Sequence, residues 1–147
     1  MEITGEQLKK LVTNTVEVGD VYRVKMTVKD GVTPKDGDDS RNKFFVVLGF
    51  DDQGTIYGGV IINSKINQNV SQSVKDYHMP ISCEKYKFLD HDSFVNCANL
   101  KTKPLSDFVG SPKLGTVDDD DVELIKETIK NSPNEKKAKL KQFGLLS

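Results

Sequence analysis

Residues 40–67 read SRNKFFVVLGFDDQGTIYGGVIINSKIN. Two apolar runs, Lys43–Phe50 and Thr55–Ile62, flank Asp51-Asp52-Gln53-Gly54. Phe, Val and Ile favour strands, and Gly54 supplies the positive φ of a tight connection, so the stretch predicts a β-hairpin. Neither run alternates with polar residues, which predicts a pair covered on both faces and central in its sheet. Antiparallel pairing sets the entrance of the first run beside the exit of the second. Arg41 and Lys43 thereby come close to Asn63, Ser64 and Lys65. Cations beside a hydroxyl at one end of a rigid sheet suit a phosphate; they equally suit plain surface.

Upstream, Thr4 and Gln7 have capping-box spacing, and Leu8, Leu11 and Val12 follow at helical intervals, predicting a helix over residues 4–14. Val21–Val28 predicts a strand whose wet face carries Arg23, Lys25 and Thr27. Lys29–Ser40, with Gly31, Pro34 and Gly37, predicts a long loop. Downstream, Gln68–Lys75 reads as a polar loop and Tyr77–Ile81 as a strand that Pro80 confines to an edge. Cys83–Leu89 fits a turn or a single helical turn, Ser93–Leu100 a strand, and Pro104–Leu114 irregular chain. Val122, Ile125 and Ile129 behind Asp118–Asp121 predict a helix over 119–131. Ser132-Pro133-Asn134-Glu135 reads as the capping box of a last, Lys-rich helix ending near Gly144. The sum is one domain over residues 1–147, mainly β with flanking helices (α+β). The short antiparallel strands predict a small barrel, SH3-like or OB-type by pattern alone.

A chain of 147 residues buries roughly 68–70% of its unfolded surface. With 29% charged and 36% hydrophobic residues it reads as an ordinary globular chain. The formal charge of −1 lacks the basic excess of a general nucleic-acid binder, so any RNA contact must come from a local patch. Two cysteines make no disulfide framework, no apolar run approaches a membrane span, and the N-terminus has no signal-peptide pattern. A cytoplasmic protein with reduced thiols is the expectation.

Several residues invite a chemical reading. Asp118–Asp121 point in different directions along a helix and suit its electropositive start better than a metal cage. Asp36, Asp38 and Asp39 lack the Glu that closes an EF-hand loop. His78, Cys83, His91 and Cys97 match no zinc spacing, while His78 or His91 has the chemistry of a general base. The face carrying Lys136, Lys137, Lys139 and Lys141 reads as a solvated or partner-binding helix.

Four blocks in order give Arg41 and Ser64 more weight. Gly19–Val24, Arg41–Leu48, Val95–Thr102 and Leu114–Val117 followed by Asp119, Asp121, Val122 and Ile125 resemble the MazF/PemK-like toxins of bacterial toxin–antitoxin pairs. The resemblance spans about residues 19–131. It implies an SH3-like small barrel of the MazF/PemK/CcdB type and a homodimer held in check by an antitoxin protein. It also implies cleavage of single-stranded RNA without metal or cofactor. Arg41 and Ser64 are the nearest matches to the family's catalytic arginine and hydroxyl, with Lys43, Asn63 and Lys65 as RNA contacts. Asn42 stands where the family has proline, so Lys43 is an alternative to Arg41 and Asn63 an alternative to Ser64. Two rival functions share the fold: a non-catalytic protein-binding module and a gyrase-inhibitor-type toxin.

Overall fold

The computed structural model describes residues 16–30, 32, 40–108 and 110–146. The helix expected over 4–14 and the acids Asp36, Asp38 and Asp39 lie outside them. Seven strands form one antiparallel sheet: β1 (Asp20–Thr27), β2 (Ser40–Phe50), β3 (Ile56–Asn63), β4 (His78–Ile81), β5 (Ser93–Asn96), β6 (Lys101–Pro104) and β7 (Lys113–Thr116). Among the described residues three helices accompany it: α1 (Gln72–Lys75), α2 (Asp119–Lys130) and α3 (Lys137–Gln142). The strand order is β4-β5-β3-β2-β1-β7, with β6 also paired to β3.

The β2–β3 hairpin is the centre of this sheet. Phe44 stands opposite Ile62 and Val46 opposite Val60. Gly54 takes φ 67°, and the Asp51 carboxylate accepts hydrogen bonds from the Thr55 and Ile56 amides at 2.8 and 3.1 Å, closing the turn. Two cores explain why the runs do not alternate. On the rear face Val46, Leu48, Val60 and Ile62 pack with Ile125, Ile129, Leu140 and Phe143. On the front face Phe45, Val47, Tyr57 and Ile61 pack with Tyr22, Val24, Met26 and Phe108. Each such side chain contributes about 1.5–3 kcal/mol by leaving water.

The edge position of Pro80 is as expected: β4 ends the sheet, pairing only with β5. α2 also forms as expected. Asp118 caps it, accepting from the Asp121 amide at 2.9 Å, and Lys85 bridges Asp118 and Asp121 at 2.7 and 2.9 Å. Those acids therefore start a helix and anchor the Lys85–Tyr86 turn. Among the described residues no group of three or more His, Cys, Asp or Glu is placed to hold a metal ion. Cys83 and Cys97 are free thiols, and among the described residues no helix is long and apolar enough to cross a membrane.

Four local expectations need correction. The strand expected over Ser93–Leu100 stops at Asn96, the chain turns, and it restarts as β6 on the other end of β3. The stretch read as irregular holds the end of β6, a 3₁₀ turn (Leu105–Phe108) and the start of β7. The polar loop 68–75 contains α1, capped by Ser71. The Ser132–Glu135 capping box does not start a helix. Ser132 Oγ donates to the Ala98 carbonyl, Glu135 accepts from the Leu100 amide, and α3 begins later, at Lys137. The turn at residues 97–100 leaves backbone groups that must be paired when buried, and this requirement outweighs a local cap. The sheet is also not closed into a barrel.

Candidate functional site

Side chains of alternate residues share a face of a strand, so Arg41 and Lys43 lie on the front face with Phe45, and Asn63 lies there with Ile61. The register brings Lys43 beside Asn63, and Lys43 Nζ donates to Asn63 Oδ1 at 2.7 Å. Farther along the same face, His78 of β4 pairs with Asn96 of β5. The chain leaving β3 then folds over this end through Ser64–Val70. The result is a cavity of about 510 Å³.

All five residues expected from the sequence line that cavity: Arg41, Lys43, Asn63, Ser64 and Lys65. Val32 and Ile61 contribute apolar surface shared with the front core, and Val70 and Val74 add more. His78 and Asn96 also line it, and they are the members the hairpin reading does not supply. His78 Nδ1 lies 2.9 Å from the Val74 carbonyl. In the neutral ring Nδ1 then carries the proton and donates it there, which leaves the Nε2 lone pair free as an acceptor.

The charge pattern is the decisive feature. Lys43 is only 9% exposed, and the carboxamide oxygen of Asn63 is its hydrogen-bond partner. Burial pushes its ammonium down to about 8, and the nearby Arg41 charge adds to the effect. Among the described residues no carboxylate makes an ion pair with Arg41, Lys43 or Lys65, and none lines the cavity. The contrast lies within the same sheet. Lys103, 8% exposed, is 3.0 Å from Asp30, and Lys113 is 3.0 Å from the buried Asp20. Buried charges are ordinarily paired because desolvation is costly. A cavity lined by three cations and, among the described residues, by no carboxylate has the chemistry to hold an anion.

This arrangement has a measurable cost. The folded Lys43 has a lower pKa than the unfolded side chain, so the penalty is complete below about 8 and vanishes above about 10.5. Lys43→Met is therefore expected to raise stability by about 1–2 kcal/mol at pH 7. That advantage should fade between the two values in thermal melts across a pH series. A variant no more stable than the parent at pH 7 would refute the uncompensated charge.

No protein-family model matches the chain, and no curated protein matches it either. The functional reading accordingly stands on the cavity itself.

Proposed function

We propose that the chain is a metal-independent endoribonuclease that cleaves single-stranded RNA in the cavity at the end of the β2–β3 hairpin. The observation that supports this reading is the Arg41–Lys43 pair, one cation exposed and one buried, with no carboxylate lining the same cavity among the described residues. A phosphodiester supplies the missing negative charge. The cavity lies where side chains from four strands meet, so a bound strand is held by a rigid support.

The step balances without an ion. The ribose 2′-oxygen attacks the adjacent phosphorus and the bond to the 5′-oxygen breaks, giving a 2′,3′-cyclic phosphate and a 5′-hydroxyl. His78 Nε2 accepts the proton of the 2′-hydroxyl, and the Lys43 ammonium, made more acidic by burial, donates one to the departing 5′-oxygen. Arg41 presents paired N–H donors to the phosphoryl oxygens as charge builds on them. Ser64 and Asn63 hydrogen-bond the phosphate, and the exposed Lys65 fixes the register of the strand through its backbone. Both members of each alternative, Arg41 with Lys43 and Asn63 with Ser64, thus have a task.

The same reading makes the chain the toxin half of a toxin–antitoxin pair, acting as a homodimer, and its sheet an opened SH3-like barrel. The slip in register between Val47 and Gly49 and the sharing of one β3 edge by β5 and β6 support a strongly bent sheet. The test uses the purified chain and end-labelled single-stranded RNA in excess EDTA. Fragments ending in cyclic phosphate are expected. RNA left intact after prolonged incubation with homogeneous protein would overturn the nuclease reading, and tight binding without cleavage would assign a non-catalytic module instead.

A further inference from the structure

A second, smaller cavity of about 290 Å³ opens on the front face, lined by Lys29, Asn99, Lys101, Thr102 and Lys139 together with Asp30. Lys101 stands opposite Gly59 and Lys103 opposite Tyr57, a residue of the front core, so Lys101 faces the same side as the first cavity. The two are close along the chain, since Lys29 and Asp30 line the second and Val32 lines the first. Along β3 the cavities are reached from Gly59 and from Ile61, about 7 Å apart at the rise of a strand.

The second cavity also gathers cations, but unlike the first it is lined by one carboxylate, Asp30. Asp30 is occupied: it is 3.0 Å from Lys103 Nζ and accepts from the Thr27 amide at 2.8 Å. Lys139 donates to the Leu100 carbonyl at 2.6 Å and lies 3.7 Å from Glu135. Lys101 is different. Among the described residues no hydrogen bond or ion pair holds its ammonium, although it is half-buried. Burial lowers its pKa and Lys139 adds to that, while the charges of Asp30 and Glu135 partly offset them. In a chain with a net charge of −1, two neighbouring cavities on one face hold cations that make no ion pair among the described residues, Arg41 and Lys43 in the first and Lys29 and Lys101 in the second.

We infer that the Lys29–Lys101–Lys139 cavity is a second phosphate subsite, which takes a neighbouring phosphate of the same single strand whose scissile phosphate lies between Arg41 and Lys43. This rests on the nuclease reading and extends it: the substrate is a strand long enough to reach both cavities, and its backbone rather than its bases sets the length required. Backbone contacts of this kind raise affinity without reading sequence.

The experiment is fluorescence anisotropy of the full chain with 2′-O-methyl oligoribonucleotides, which cannot be cleaved, of two and eight residues over a salt series. Lys101→Gln leaves its ion pairs untouched, because it has none among the described residues, and Lys29→Gln is an exposed second variant. Each should weaken octamer binding roughly tenfold and lower the salt slope by about 0.7, the amount for one contact to a single strand. The loss should disappear with the dinucleotide, which cannot span both cavities. Octamer affinity and slope equal to those of the parent chain would overturn the subsite while leaving the first cavity standing. A parent chain that binds neither oligomer overturns both.

Discussion

Arg41→Ala is expected to slow cleavage of single-stranded RNA by at least about 100-fold, the scale for removing one preorganised stabiliser of transition-state charge. Arg41 is exposed, and its side chain makes no ion pair among the described residues, so its removal should leave the melting curve nearly unchanged. The loss should fall mainly on kcat, because the guanidinium meets its strongest demand when charge accumulates on the phosphoryl oxygens. Arg41→Lys should recover only part of the rate, since an ammonium is a point charge and cannot present two parallel donors. Single-turnover rates with a labelled oligonucleotide in EDTA make the comparison. A folded Arg41→Ala protein that cleaves at the parental rate removes Arg41 from the chemistry and shifts its role to Lys43.

On stability a large effect should come from Gly49→Ala. Gly49 lies opposite Gly58 just after the register slip in β2, and together they form a shallow seat for Phe143. A Cβ at Gly49 would stand 2.0 Å from the Phe143 carbonyl oxygen and 3.2 Å from Leu145 Cδ1. The first contact is with backbone, so no rotamer change relieves it. Phe143 and Leu145 are buried, and to make room the segment after α3 must lift from the rear face. A cost of about 3 kcal/mol follows for overpacking at a site that cannot yield. For a chain of this size that lowers Tm by roughly 6–12 °C. Calorimetry or circular dichroism reads it directly, and a melting point within a degree of the parent would show that the rear packing is looser than described.

The parts legible in the sequence were those fixed by neighbours along the chain. The hairpin follows from strand formers around a Gly at positive φ, and α2 from Val122, Ile125 and Ile129 behind an acidic start. The five hairpin-end residues of the cavity were legible for the same reason, since a tight antiparallel pair carries its two ends together. His78 and Asn96 were not, because they arrive by the pairing of β4 with β5 and of β5 with β3, contacts that no local pattern specifies. The Ser132–Glu135 motif misled because its groups bond a distant turn. The most informative fact, that among the described residues Lys103 makes an ion pair with a carboxylate and Lys43 and Lys101 make none, depends wholly on tertiary placement.

The hairpin is a party wall between two rooms. Phe45, Val47 and Ile61 furnish the room that opens on the cavity, while Val46, Leu48 and Val60 furnish the one closed by α2 and the chain end. Substitutions in separate rooms should add nearly independently when their side chains share no neighbour. Robustness can thus be engineered behind the wall, by better-filled packing around Ile125 and Ile129, without redecorating the room that opens on the cavity.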